Sequence, residues 1–76
     1  MPDMPNRDEL RILRAFRNHE RLKGFTPTVR ELSAQTGYPL ATVQRHLKAL
    51  VEGGYLRNRL PGAARMLAVT ERGQTA

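Results

Sequence analysis

The stretch that decides the fold runs from Thr28 to Glu52 and reads TVRELSAQTGYPLATVQRHLKALVE. It opens with a threonine followed three residues later by Glu31, the spacing of a capping box. In such a box the hydroxyl oxygen accepts a backbone N–H while the glutamate reaches back to the cap. The pattern therefore predicts a short helix from about Val29 to Thr36.

The residues after this helix predict a tight turn and a new helix. Gly37 can adopt the left-handed backbone conformation that ends a helix, and Pro39 prevents the same helix from continuing. Proline is also suited to the start of a helix, so the next helix should run from about Leu40 to Glu52. Two helices joined by a short glycine turn are the pattern of a helix-turn-helix.

The third helix has one apolar side. Val43, Leu47 and Leu50 recur at helical spacing and should be buried. The other side then carries residues that can contact base edges or the phosphates of the DNA backbone: Leu40, Ala41, Thr42, Gln44, Arg45 and Lys48.

Outward from this stretch, the chain predicts one more helix before it and a hairpin after it. Asn6 and Glu9 resemble a capping box, and a first helix should run from about Arg7 to Leu22. Residues 55–70, with a Pro-Gly turn at their centre, predict a β-hairpin. The expected fold is mainly α with a small β-hairpin, a winged helix-turn-helix of three helices plus a two-stranded wing. Residues 1–6 are expected to form a flexible leader, residues 7–70 the domain, and residues 71–76 a frayed tail.

The charge balance points to a polyanionic partner. Thirteen Lys and Arg against seven Asp and Glu give a formal net charge of +6 in a chain of 76 residues. Such a surface attracts DNA, RNA and anionic membranes, although solvated surface charge with no ligand is the plain alternative. All but two of the cations are arginines, whose planar fork matches phosphates and guanine edges.

Several motifs resemble those of a known family. The order of three helices and a hairpin, with GFTPTVREL at residues 24–32 and HLKALVEGGYL at residues 46–56, resembles the winged DNA-binding domain at the amino terminus of the LexA repressor family. The likeness spans about Arg7 to Val69, and HLKAL and LAVTERG are also similar to MarR-type winged-helix regulators. The resemblance implies a DNA-binding transcriptional repressor.

The resemblance does not extend to every property of that family. The resemblance by itself would imply a two-domain protein whose second domain dimerises and cleaves itself with a Ser-Lys pair. Ser33 is the only serine here and falls on the second predicted helix, so self-cleavage is not carried over. Residues 39–45 also depart from the family pattern, so the family's operator sequence is not carried over either.

Base contacts are expected from the outer side of the third helix. Arg45 can bond guanine and Gln44 can bond adenine through two hydrogen bonds each in the major groove. Thr42 could touch a thymine methyl or a phosphate, or bond its own helix backbone instead. Leu40 and Ala41 would be exposed in this register, although a shifted register would bury Leu40.

Phosphate contacts need only a cation or the capped start of a helix. The sequence assigns this role to residues in the second and third helices and in the hairpin: Thr28, Arg30, Lys48, Arg57, Arg59 and Arg65. The hairpin tip from Pro61 to Arg65 is expected to lie along phosphates or enter the minor groove as a wing.

Other kinds of function find little support in the sequence. The chain has no cysteine and two distant histidines, His19 and His46, which are expected to be packing residues, so we expect no metal, no cofactor and no disulfide. Ser33 has no expected base beside it, so we expect no enzyme activity. An intracellular, cytoplasmic location is expected because nothing resembles a signal peptide or a membrane span.

The sequence thus predicts sequence-selective binding of double-stranded DNA by a transcriptional regulator. The alternative is a winged-helix adaptor that binds another regulator or RNA polymerase through its basic face. Double-stranded RNA is a weaker alternative, because side chains cannot read its deep major groove. Regulators of this kind usually read paired half-sites, which leaves three alternatives: a homodimer through the first helix, cooperation of copies on adjacent sites, or a domain that heads a longer protein.

Overall fold

The computed structural model describes residues 5–58 and 67–76, which form four helices and a two-stranded antiparallel sheet. In chain order, the elements are α1 (Arg7–Lys23), α2 (Val29–Thr36), α3 (Leu40–Glu52), β1 (Leu56–Asn58), β2 (Leu67–Val69) and α4 (Glu71–Thr75). The second and third helices have the predicted bounds, and the first ends one residue later than predicted. This arrangement confirms the predicted winged helix-turn-helix.

Capping boxes define where α1 and α2 begin. The Asn6 side-chain oxygen accepts a hydrogen bond from the backbone N–H of Glu9 at 2.7 Å. The Glu9 carboxylate accepts one from the backbone N–H of Asn6 at 3.1 Å. Thr28 and Glu31 form the same reciprocal pair at 3.0 and 2.8 Å. Both boxes satisfy amides that a helix start leaves without an intrahelical partner.

The core lies where the three long helices and the hairpin meet. Its buried side chains come from every element except α4: Ile12, Leu13, Phe16, Leu32, Val43, Leu47, Leu50, Tyr55, Leu56 and Leu67. Since α1, α2 and α3 each bury one apolar side here, each helix has a defined outward side.

The hairpin pairs Leu56 with Val69, Arg57 with Ala68, and Asn58 with Leu67. Leu56 and Leu67 are buried, whereas Arg57 and Asn58 are exposed. The predicted tip of the wing, residues 61–65, lies outside the described residues.

The prediction of a frayed tail at residues 71–76 is wrong. The chain forms α4 there, capped by the Thr70 hydroxyl oxygen, which accepts the Gly73 amide at 3.1 Å. Arg17 holds this helix against α1, because its guanidinium donates to the backbone oxygens of Gly73, Gln74 and Ala76 at 2.9, 3.1 and 3.2 Å. These contacts join residues 56 to 59 positions apart, so local sequence patterns could not reveal them.

Gly73 is buried because α4 lies directly against the end of the hairpin. A Cβ atom at this position would collide with the backbone oxygen of Tyr55 and would lie 2.8 Å from Cγ1 of Val69. Only glycine fits this approach without displacement of the helix.

Candidate nucleic-acid interface

The outward side of α3 is the main feature of the candidate site. Val43, Leu47 and Leu50 anchor the helix in the core with exposures of 0%, 7% and 1%. The opposite side carries the exposed residues Leu40, Ala41, Gln44, Arg45 and Lys48, while Thr42 is half-buried. Leu40 is 42% exposed, so the shifted register that would bury it is wrong.

The turn before α3 fixes the direction of this helix. Gly37 has a φ of 83°, in the left-handed region, and its amide donates to the backbone oxygen of Ser33 at 2.8 Å. The Ser33 hydroxyl in turn donates to the backbone oxygen of Tyr38 at 2.6 Å. Ser33 therefore ties the end of α2 to the turn, a role that the sequence did not predict.

Tyr38 links this turn to α1 and α3. Its hydroxyl donates to a carboxylate oxygen of Asp8 at 2.8 Å, and its ring meets the ring of His46 edge-on at 6.0 Å between centroids. The hydrogen bond to Asp8 raises the pKa of the Tyr38 hydroxyl above its ordinary value, with burial adding to the effect. Asp8 of α1 and Ser33 of α2 thus both bind Tyr38 and hold the turn that leads into α3.

The start of α2 offers backbone donors beside the hairpin. The amides of Val29 and Arg30 are the first of the helix and have no intrahelical partner, and Arg30 is exposed. The Glu31 carboxylate occupies the same end of the helix. Its hydrogen bond from the Thr28 amide lowers its pKa, so at neutral pH this carboxylate is charged and opposes a phosphate close to it.

A shallow groove of about 290 Å³ joins the start of α2, one flank of α3 and the hairpin. Its lining combines apolar and polar side chains: Val29, Gln44, Leu47, Lys48, Val51, Asn58 and Leu67. The structure therefore brings Gln44 and Lys48 together with the hairpin. Arg57 is exposed on the neighbouring strand, whereas Arg59 and Arg65 lie outside the described residues.

Sequence reasoning missed Val51 and Asn58 as lining residues of this groove. A signal was present for each, because Val51 lies seven residues after Gln44, two helical turns along the same side. Asn58 lies between two arginines that had been assigned to phosphate.

Four carboxylates of the described residues are engaged in helix caps or with hydroxyl groups, whereas Glu52 and Glu71 are exposed. Glu9 and Glu31 serve capping boxes, Asp8 accepts from Tyr38, and Glu20 accepts from the Thr26 hydroxyl at 3.4 Å. Leaving Arg72 aside, no described Arg or Lys side chain forms a salt bridge with a described carboxylate. The charge of Arg45, Lys48 and Arg57 is therefore directed to solvent.

His19 is a buried packing residue with 4% exposure. Its Nδ1 lies 3.0 Å from Nε2 of the Gln35 side chain, and its ring meets the Phe25 ring edge-on at 5.3 Å between centroids. Its Nε2 lies 3.8 Å from Oε1 of Glu31, beyond hydrogen-bond distance. These contacts place the histidine between α1 and α2 and away from the outward side of α3.

Metal-binding clusters and membrane-spanning helices are both absent from residues 5–58 and 67–76. No three His, Cys, Asp or Glu residues come together there in a way that could hold a metal ion. No helix in the same ranges combines the length and apolar character that crossing a membrane requires.

Comparison with known proteins gives one matching family model and several LexA repressors as relatives. Residues 10–60 match the model of the IclR helix-turn-helix domain. A LexA repressor of Oleidesulfovibrio alaskensis is 45% identical over 53 residues, which cover 70% of this chain and 25% of that protein. A LexA repressor of Citrifermentans bemidjiense is 36% identical over 66 residues, which cover 86% of this chain and 32% of that protein.

A third relative, a LexA repressor of Leptospira biflexa, is 37% identical over 57 residues, which cover 75% of this chain and 28% of that protein. These similarities confirm the predicted resemblance to the LexA repressor family. The chain spans about a quarter to a third of the length of these curated relatives.

Proposed function

The chain belongs to the IclR helix-turn-helix domain family, and from this premise we propose that it binds double-stranded DNA as a transcriptional regulator, with α3 in the major groove. One observation carries the proposal. Because Val43, Leu47 and Leu50 are buried, α3 turns a polar and basic side to solvent, with Glu52 at its carboxyl end and no salt bridge to a described carboxylate. A helix of this kind fits a major groove about 12 Å wide.

Base recognition is proposed for five residues of α3. At about 100° per residue, Ala41 and Arg45 point directly away from the buried side, while Leu40 and Gln44 lie on the flank that borders the groove. Arg45 would bond guanine, Gln44 would bond adenine, and Leu40 and Ala41 would contact thymine methyl groups. Thr42 lies on the opposite flank and is half-buried, so its contact would be at the edge of the interface.

Phosphate contacts are proposed for residues on both sides of α3. Lys48 lines the groove, Arg57 is exposed on β1, Arg30 is exposed at the start of α2, and the hydroxyl hydrogen of Thr28 is free to donate because its oxygen is the acceptor in the capping box. Arg59 and Arg65 complete the proposed set from the hairpin. The Glu31 carboxylate makes the start of α2 the weakest of these contacts.

Repression is the proposed direction of regulation, since the relatives are named repressors. A single domain contacts one half-site, so tight binding requires two copies on paired half-sites. Four arginines on the outward side of α1 oppose pairing of two copies through that helix. Cooperation on adjacent half-sites is therefore the proposed mode of dimeric binding.

The proposal is tested by fluorescence anisotropy with random duplex DNA and with a pool of selected sites at two salt concentrations. Five proposed phosphate cations give a slope of log affinity against log salt of about −4.5. Raising salt from about 50 to about 200 mM should then weaken binding about 500-fold. A flat dependence, or stronger binding to duplex RNA of the same length, would contradict the proposal.

A matched pair of variants tests the assigned face. Arg45→Ala removes a cation from α3 and should reduce the preference for selected sites about 5- to 150-fold. Arg14→Ala removes the same charge from the outward side of α1 and should leave that preference unchanged. Equal losses in the two variants would mean that charge alone, rather than the face of α3, governs binding.

A further inference from the structure

The outward side of α1 carries a second basic surface. Arg7, Arg11, Arg14 and Arg21 are exposed, and Asn18 is exposed among them. At about 100° per residue these five residues lie within about 40° of one line along the helix. We call them the α1 stripe; it extends about 21 Å, from the first turn of the helix to the last.

No arginine of the α1 stripe forms a salt bridge with a carboxylate of the described residues. The side chains of Arg7 and Arg14 form no hydrogen bond, ion pair or ring contact with described residues, while Arg21 donates to the Asn18 side chain at 3.0 Å. Arg11 lies 5.8 Å from the centre of the Tyr38 ring. The stripe therefore presents up to four positive charges in single file.

One exposed apolar side chain, Leu22, borders the carboxyl end of the stripe, and the exposed Phe25 follows in the chain after Gly24. Leu22 is 77% exposed and Phe25 is 57% exposed, and these are two of the three large exposed hydrophobic residues in the described chain. Leu22 lies one helical turn after Asn18 and therefore directly borders the stripe.

The α1 stripe points away from the candidate DNA interface. The inner side of α1, with Ile12, Leu13 and Phe16, shares the core with the inner side of α3. The outward sides of the two helices therefore lie on opposite sides of that core. A duplex bound by α3 leaves the stripe exposed to another partner.

We propose that the α1 stripe, with Leu22 and Phe25, docks an acidic amphipathic helix of a partner protein. Two helices side by side have the same rise per residue, so glutamates at helical spacing can follow the arginines along the stripe. Leucines on the adjoining side of that helix would cover Leu22 and Phe25. Phosphates of a second duplex offer no apolar group to these residues, and a second copy of this chain would bring like charges together.

The probe for the test is a labelled synthetic peptide of about 18 residues, long enough to span the stripe. It carries glutamates spaced to match the arginines and leucines on the adjoining side. A peptide of the same composition in scrambled order is the control ligand. Binding to the full chain is measured by anisotropy at one low salt concentration.

Three variants assign the site. Arg14→Glu with Arg21→Glu should weaken peptide binding by about tenfold or more, and Leu22→Ser should weaken it about fivefold. The matched double reversal on α3, Arg45→Glu with Lys48→Glu, should change it less than about twofold. Circular dichroism confirms that each variant keeps its helices, since all these side chains are exposed.

The possible contrary results are distinct. Equal loss from the reversals on α1 and α3, or equal binding of ordered and scrambled peptides, would overturn the proposal because binding would then follow net charge. If Leu22→Ser bound the ordered peptide as tightly as the parent does, Leu22 would not contact the partner helix, and the proposal of an amphipathic partner would be overturned. A further assay asks whether the parent protein joins two labelled duplexes. If the α1 variant loses this ability and the ordered peptide shows no specific binding, the stripe is assigned to a second DNA instead.

Discussion

Replacing Gly73 with alanine tests the docking of α4, the element that sequence patterns did not predict. The new Cβ would overlap the backbone oxygen of Tyr55 and approach Cγ1 of Val69 to 2.8 Å, where carbon atoms normally stay about 3.5–4.0 Å apart. The Tyr55 oxygen cannot move away freely, because it accepts the Thr70 amide at 3.1 Å. The helix itself must therefore shift outward and weaken its hydrogen bonds from Arg17.

The expected loss of stability follows from opposing effects. Overpacking of this kind costs about 1–3 kcal/mol, and weakened hydrogen bonds to a charged donor add to that loss. Alanine regains about 1 kcal/mol as the better helix former. The net destabilisation should be about 2 kcal/mol, which lowers the melting temperature of a domain of this size by about 10 °C.

Thermal unfolding followed by circular dichroism measures this effect. Gln74→Ala, at an exposed position of the same helix, is the matched control and should stay within about 2 °C of the parent. Arg17→Ala should also be destabilising, because it removes the donor to α4. A Gly73→Ala protein that melts with the parent would show that α4 does not pack against the hairpin as described.

Three further predictions concern the interface, the second helix and the turn. Lys48→Ala should reduce the salt slope of DNA binding by about 0.9, whereas the uncharged change Gln44→Ala should leave it unchanged; equal slopes in titrations of the two would refute the phosphate role. The pKa of Glu31 is lowered in the folded state, so its contribution to stability is present above the unfolded pKa near 4.5 and is lost as pH falls through the folded pKa. Glu31→Gln should therefore flatten the acid side of the stability profile more than Glu52→Gln, as measured by urea unfolding between pH 3 and 7. Gly37→Ala should cost about 1–2 kcal/mol at a φ of 83°, and an unchanged urea midpoint would count against the left-handed turn.

The helices could be predicted because their signals are local. Thr28 and Glu31 set the start of α2, Gly37 sets its end, and Pro39 separates it from α3, all within a few residues. The burial of Val43, Leu47 and Leu50 also follows from spacing along one helix, which explains why the outward side of α3 was predicted in the correct register.

The remaining features depend on contacts between distant parts of the chain. The five-residue α4 is too short to be stable by itself, and its docking depends on Arg17 in another helix. The hydrogen bond between Tyr38 and Asp8 likewise joins residues that no local pattern relates. In the candidate site, spacing relates Val51 to Gln44 within α3, but the groove itself depends on the meeting of α2, α3 and the hairpin, which no local pattern indicates.

The use of carboxylates at helix starts, rather than beside arginines, has a consequence for how the protein responds to ionic strength. Added salt finds few ion pairs to weaken among residues 5–58 and 67–76, Arg72 left aside, while it screens the mutual repulsion of a chain with a net charge of +6. Folding should therefore become more favourable as salt rises, whereas attachment to a polyanion becomes less favourable. Ionic strength would then act as a release signal that removes the ligand and leaves an intact domain ready to bind again.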